Sequence, residues 1–343
     1  MRPTQRPPYC VHLLAHANPI GKDVRRFGFA NTAAYLAFVR AHLPASLRLT
    51  YNRRVLEADE NQNRGGRRDD AARIRDLQHA LSDPATLAIV ALSGGAYFSR
   101  TLPQVDFSVL RRRTAPLWAF GFSEMTSLVN LVAAYPQGRG VYWLCPNYLA
   151  WKVKPPAAAR AAFAEFWRTL PALVGGKVES AGVSVADPQR RYLDLSAIRG
   201  RLVSGQVRPG RVRLIGGCLS VLAALLPGSQ FRRVKPDGRW LILEDVNEAP
   251  YRIDRYLSAL NHAGWFQRIA GVLVGDFHTA GEPQTRAAVE MLCYHLPARR
   301  NVPIVTTHSF GHTWPIVPVL LNRPLRLHVR GRSVTIDGPS DPT

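Results

Sequence analysis

Along the first half of the chain, short and mostly apolar runs alternate with stretches of helical spacing. The runs stand at 11–15, 47–51, 87–92, 117–121 and 141–144. They have the length and near-continuous apolar character of strands covered on both faces. Residues 32–43 carry a helical period. So do residues 70–81, with Ala71, Ile74, Leu77 and Leu81 on one face and Arg73 and Asp76 on others. Ser82-Asp83-Pro84 ends that helix, and the polar, glycine-paired stretch 61–70 before it reads as a loop. A further helix is expected from the turn at Ser123 to about residue 134. This alternation predicts an α/β fold, with a parallel sheet and helices on both faces.

The second half begins with an alanine-rich helix at 155–170. The following stretch, rich in Gly, Val, Arg and Pro, reads as a link between domains. Beyond Leu214 the pattern resumes: helix 219–226, strand 240–243, helix 251–263 with Ile253, Leu257 and Leu260 on one face, and strand 269–275. Helix 285–296 stops at Pro297, strand 302–306 follows, and 325–336 reads as a hairpin. The expected organisation is an N-terminal α/β domain at 1–150, a linker region at 151–211, a smaller C-terminal α/β domain with a β-rich end at 212–337, and a tail at 338–343. There is no internal repeat.

The chain has 343 residues, 46% of them apolar, enough for a substantial core. No apolar run reaches the ~18 residues needed to span a bilayer. The N-terminal stretch is broken by His12, His16 and Asn18 and lacks the form of a signal peptide, so the expectation is a cytoplasmic protein without a membrane partner. Formal net charge is +21, and only five of the 45 basic residues are lysine. The arginines are dispersed, with short clusters such as Arg111-Arg112-Arg113, and no zinc-finger spacing or long basic helix accompanies them. A positively charged surface, rather than nucleic-acid binding, is the expectation. The cysteines at 10, 145, 218 and 293 are too far apart in sequence for a metal clip and read as reduced, partly buried thiols.

Candidate chemistry centres on 115–126, where an apolar run ends at Gly121-Phe122-Ser123. A serine on a tight strand-to-helix turn is exposed at the carboxyl end of a sheet, with a backbone amide behind it. The same arrangement serves turn geometry and helix capping, and spacing alone leaves both readings open. A nucleophilic serine needs a base, and the base an orienting acceptor. The histidines of Thr307-His308-Ser309-Phe310-Gly311-His312 lie in a presumed loop after a strand, and either could serve. Their i, i+4 spacing does not make a zinc pair, since Gly311 and Pro315 oppose a helix and the central glutamate of a metalloprotease motif is absent. No metal or cofactor is expected. Glu244 ends an apolar run and could orient a histidine or serve an ion pair. Asp245, pointing the other way, is expected to cap a helix or pair with Arg252 or Arg255.

In these blocks the chain resembles the LD-carboxypeptidase family of serine peptidases. The matching segments are the arginine- and aspartate-bearing helix ending in Asp83-Pro84, the di-glycine of Ser93-Gly94-Gly95, and Gly121-Phe122-Ser123. Glu244-Asp245 through Tyr251-Arg252-Ile253-Asp254-Arg255, Gly275-Asp276-Phe277, and Pro303 through Gly311-His312 follow in order. The resemblance covers roughly 65–145 and 212–320. It implies that Ser123, carried by the N-terminal domain, is the nucleophile. Glu244 and His312, in the C-terminal domain, become the orienting acid and the base, and His312 is selected over His308. Gly95 and Glu124 would give backbone N–H groups to an oxyanion. The implied activity is hydrolysis of an L,D-amide bond in a murein tetrapeptide, by a protein that could form a homodimer. The chain departs from the family pattern at Ser93, where arginine is usual, at Ala96, which displaces the aromatic residue to Tyr97, and at Glu124, where aspartate is usual. The first two bear on substrate. A related peptide, a peptidyl-nucleotide antibiotic, or non-catalytic binding on the same scaffold are the alternatives.

Overall fold

The computed structural model describes residues 9–45, 47–58, 67–174, 197–297 and 301–339. In chain order come β1 (Cys10–Leu14), α1 (Gly21–Arg26), α2 (Thr32–Ala41), β2 (Arg48–Tyr51), α3 (Arg53–Leu56), α4 (Arg67–Ser82), β3 (Thr86–Ala91) and β4 (Leu117–Gly121). Then follow α5 (Thr126–Ala133), β5 (Gly138–Tyr142), α6 (Leu149–Lys152), α7 (Pro156–Val174), β6 (Ile198–Ser204), β7 (Gly210–Val212), β8 (Leu214–Cys218) and α8 (Leu219–Leu225). The remainder is β9 (Trp240–Val246), α9 (Pro250–His262), β10 (Gly271–Thr279), β11 (Glu282–Pro283), α10 (Thr285–His295), β12 (Ile304–Gly311), β13 (Val319–Leu320), β14 (Leu325–Arg330) and β15 (Ser333–Pro339). The architecture is mixed α/β. By internal contacts the chain divides into two compact units. One comprises Met1–Gly121, Tyr135–Arg139 and Cys145–Ser184; the other comprises Phe122–Ala134, Gly140–Leu144 and Val185–Thr343.

In the first unit β4, β3, β1 and β2 lie side by side in that order, all parallel. β1 is buried throughout, and β3 and β4 at all but one position each, as apolar runs covered on both faces require. An aromatic cluster of Phe27, Tyr35, Phe38 and Phe163 packs together, with the Phe27 and Phe163 ring centroids 4.5 Å apart. Several arginines act as hooks on backbone carbonyls. Arg113 donates to the carbonyls of Asp83 and Thr86 and so fastens the turn between α4 and β3, while Arg160 donates to the Phe27 carbonyl. Part of the arginine excess is thus internal wiring.

In the second unit β8, β9, β10 and β12 run parallel, and β6, β15, β14 and β7 extend the sheet antiparallel. Ile253 and Leu257 of α9, with Ala288 and Leu292 of α10, cover Leu243, Val274 and Phe277 on one face. Within the stretch expected to be a linker, residues 198–204 and 210–212 are strands of this sheet. Arginine and glycine there masked an alternation that one-sided burial requires. β8 was also not anticipated, because Gly216 and Gly217 interrupt its apolar run. The expected loop 61–70 lies outside the described residues up to 66, and 67–70 open α4. The expected tail begins inside β15, and its last four residues are outside the described range.

The α4 periodicity needs a correction. Arg73 and Asp76 are buried, whereas Ala71 and Ile74 are half-buried. The reason is partners. Asp76 Oδ2 lies 3.1 Å from His16 Nε2, and Asp76 Oδ1 lies 3.2 Å from His12 Nε2. Arg73 donates to the His16 carbonyl at 2.6 Å and pairs with Asp70, which also receives Arg100. A charged group can enter a core when its partners are already there. Burial opposes ionisation of Asp76, but the hydrogen bonds and charges of His12 and His16 outweigh it and hold the carboxyl at about 2, below the ordinary 3.8.

Because the folded value lies below the unfolded one, the unfolded chain takes up this proton more readily. The stabilisation is complete above about pH 4 and is lost as pH falls toward about 2, amounting to roughly 2 kcal/mol. Urea midpoints measured across this window will fall for the wild type and fall less for Asp76→Asn, which has no carboxyl to protonate.

Candidate active site

Ser123 follows β4 and Phe122 directly and is held at φ +58°, in the left-handed region that a non-glycine residue adopts at a cost of order 1–3 kcal/mol. Its surroundings fix that geometry. The Met125 amide donates to the Phe122 carbonyl, and Thr126 Oγ1 donates to the Ser123 carbonyl at 2.7 Å. The same Thr126 hydroxyl oxygen accepts the Cys218 amide at 3.0 Å. One turn on, Asn130 donates to the Thr126 and Gly216 carbonyls and accepts the Gly216 amide at 2.9 Å. The Ser123 turn and α5 are therefore bonded to β8, and α5 is buried along its whole length.

Glu244 is the fifth residue of β9 and is wholly buried. Both carboxylate oxygens are engaged. Oε2 lies 2.7 Å from His312 Nδ1, and Oε1 accepts the Tyr142 hydroxyl at 2.5 Å. Tyr142, at the end of β5, is itself fully buried, and its oxygen accepts the Ser123 backbone amide at 3.3 Å. Gly217 makes room for this ring: a Cβ there would come within 2.5 Å of Tyr142 Cε2. Burial and the Glu244 charge push the Tyr142 phenol well above its ordinary range, so the hydroxyl keeps its proton. The Phe122 ring lies 4.9 Å from the His312 imidazole, centroid to centroid, and covers it.

His312 stands just past β12, which runs to Gly311; the stretch expected as a loop is largely strand. After His312 the chain re-enters regular structure at β13, where Val319 pairs with Tyr142, and the Trp143 indole donates to the Ile316 carbonyl. The histidine is thus pinned on both sides. His308 has a different partner. Its Nδ1 lies 2.6 Å from Asp276 Oδ1, and its side chain is 92% exposed against 11% for His312. Among the contacts described, the two histidines have different carboxylate partners. Among the described residues no group of three or more His, Cys, Asp or Glu is arranged to hold a metal ion.

Asp245 turns to the other side of the pleat, as expected, but takes neither Arg252 nor Arg255. It accepts the Ser220 amide at 2.7 Å at the start of α8, together with the Ser220 hydroxyl and the Cys218 thiol. Arg252 pairs with Glu248. Burial, and next the charge of Glu244, raise Asp245 to about 6. Burial and the two carboxylates likewise keep Cys218 a thiol.

Of the residues singled out in the sequence, Ser123, Glu124, Glu244 and His312 lie in one unit and Gly95 in the other. Chain position assigns the serine to the N-terminal half, but its segment packs with the second unit through Thr126 and Asn130. Gly95 has φ +139°, and the space a side chain would need is filled by Asn18, whose Nδ2 donates to the Gly94 carbonyl at 2.7 Å. Tyr142, Thr126 and Asn130 were not anticipated. The signal available for Tyr142 was a lone hydroxyl in an otherwise apolar run.

Two family models match the chain, the LD-carboxypeptidase N-terminal domain over residues 11–140 and the LD-carboxypeptidase C-terminal domain over residues 211–327. A protein of Streptomyces coelicolor named as a carboxypeptidase is 31% identical over 273 residues, 79% of this chain and 78% of that protein. The murein tetrapeptide carboxypeptidase of Pseudomonas aeruginosa is 25% identical over 250 residues, 71% of this chain and 74% of that protein. Among solved structures, the microcin C7 self-immunity protein shares the fold with a TM-score of 0.66 at 16% identity, over 96% of each chain. The chain belongs to the LD-carboxypeptidase family and is a serine peptidase of carboxypeptidase type.

Proposed function

We propose that the protein hydrolyses an L,D-amide bond of a murein tetrapeptide, with Ser123 as nucleophile, His312 as general base and Glu244 as the orienting acid. The observation that carries this reading is the wholly buried Glu244 carboxylate bonded to His312 Nδ1, in the same unit as a serine on a strained strand-to-helix turn. With Nδ1–H committed to the carboxylate, the imidazole offers Nε2 as the lone-pair nitrogen. His312 Nε2 takes the Ser123 proton as Oγ attacks the scissile carbonyl, and the imidazolium that forms is stabilised by Glu244. The backbone amide of Glu124 stabilises the tetrahedral oxyanion, a role the family resemblance assigns to the Gly95 amide as well. His312 then passes the proton to the leaving amine, and water repeats the attack on the acyl-enzyme. Murein tetrapeptide is favoured as substrate by the named activity of the Pseudomonas relative.

Mass spectrometry of a murein tetrapeptide incubated with the protein will show loss of the terminal D-alanine and gain of the tripeptide. An intact tetrapeptide, with cleavage of a peptidyl-nucleotide offered in parallel, would reassign the substrate and keep the chemistry. Ser123→Ala is expected to lower turnover by about 10⁴-fold or more while leaving the melting transition in place. A fluorophosphonate probe will label Ser123 in the wild type and fail to label the alanine variant; wild-type turnover in that variant would remove the nucleophile assignment.

A further inference from the structure

Ser123, Tyr142, Glu244 and His312 form one hydrogen-bonded path whose donor directions are fixed. A backbone N–H can only donate, so at 3.3 Å the Ser123 amide makes the Tyr142 oxygen an acceptor. The phenol has a single hydrogen, and the 2.5 Å contact to Glu244 Oε1 takes it. An ionised Glu244 then accepts on both oxygens, which leaves His312 Nδ1 as the protonated nitrogen of the 2.7 Å contact. One hydroxyl connects the backbone of the turn to the carboxylate that orients the imidazole. The ring has no latitude, being fully buried, with Gly217 behind it and Phe122 at 6.4 Å edge-on.

We propose that Tyr142 is a positioning residue of this peptidase, holding the Glu244 carboxylate in register with the Ser123 turn and setting the His312 tautomer. The proposal rests on the Ser123, Glu244 and His312 assignment above. Among the described residues, the ionisable groups around Glu244 are Tyr142 from β5, Cys218 from β8 and His312, with Asp245 adjacent in sequence on the other side of the pleat. Of these, Tyr142 and His312 alone are hydrogen-bonded to the Glu244 oxygens among the contacts described. Removing the phenol hydrogen leaves more negative charge on the carboxylate to stabilise imidazolium. The imidazole becomes more basic, and the limb of the pH profile that reports its deprotonation moves to higher pH.

The test is steady-state kinetics of Tyr142→Phe across pH, beside Ser123→Ala. The phenylalanine variant is expected to lose about tenfold to a hundredfold in kcat with little change in KM, the size of effect expected from loosened catalytic geometry. Its acid limb is expected about half a unit to one unit higher. Replacement of Tyr142 by 3-fluorotyrosine, a stronger donor of the same shape, should move that limb the opposite way. A residue with a packing role alone would produce neither opposed shift. The fluorotyrosine protein also carries the test should the phenylalanine variant fail to fold. Wild-type kcat and an unmoved acid limb in the tyrosine variants, with Ser123→Ala inactive, would overturn the role of Tyr142 and leave the nucleophile standing. Turnover retained in Ser123→Ala would instead overturn the reading beneath it.

Discussion

A carboxylate without solvent contact is the constraint around which the second unit is arranged. Glu244 sits toward the carboxyl end of β9, a strand paired on both sides, where an unpaired charge would cost several kcal/mol. Each of its oxygens therefore needs a donor, and each donor has to arrive from a distant part of the chain. Tyr142 comes from β5 and His312 from just past the end of β12, and the chain beyond His312 returns at β13, where Val319 pairs with Tyr142. Satisfying one buried charge thus brings a histidine and a tyrosine to fixed places. The same bonds that make burial tolerable fix the imidazole's orientation.

The Ser123 turn obeys a second constraint, that of strain. A left-handed serine persists only where neighbouring bonds over-determine it. Thr126 and Asn130 do so by bonding the turn and its helix to the backbone of β8, at the positions where Gly216 and Gly217 leave no side chain in the way. Gly217 is needed for this close approach, since a Cβ there would come within 2.8 Å of Thr126 Oγ1, while a Cβ at Gly216 would come within 2.3 Å of the Ile242 carbonyl oxygen on β9. The feature that hid β8 in the sequence is the one that admits Thr126 and Tyr142.

The sequence made the strand and helix pattern legible where burial follows hydrophobicity. β4 spans Leu117–Gly121, the run read from the pattern, and α9 buries Ile253, Leu257 and Leu260 as its periodicity requires. It misled where charge is buried. Arg73 and Asp76 read as outward positions of α4, yet partners in and just after β1 draw them inward, and periodicity carries no information about such partners. The strands at 198–204 and 210–212 were hidden because β6, though paired on both sides, leaves alternate residues exposed, and β7 lies at the sheet edge, so both tolerate arginine and glycine that a strand buried on both faces would not. At the site, strand-end placement pointed to Ser123 and Glu244, but only the family resemblance separated His312 from His308. The physical difference between them is burial, which a pair of histidines four residues apart does not reveal.

The departure at Ser93 follows from a further buried carboxylate. Asp23, in the first unit, accepts the Ser93 hydroxyl, the Asn147 amide and the Trp151 indole, each at 2.8 Å. Burial raises this carboxyl, and those donors work against the rise. Asn147 in turn is held by the Tyr35 hydroxyl at 2.6 Å and, through its own amide, by the Leu92 carbonyl just before the di-glycine. The hydroxyl at 93 is thus directed inward, as one of three donors that keep Asp23 tolerable in the core. On the other side of the turn, Asn18 occupies the space beside Gly95. A residue that in the family pattern would be a long cation is here a short inward donor, and the geometry of the di-glycine is maintained by these internal bonds. The change at Ser93 is accounted for by the packing of Asp23, which leaves Tyr97, exposed and next to Arg100, as the outward-facing difference in this loop.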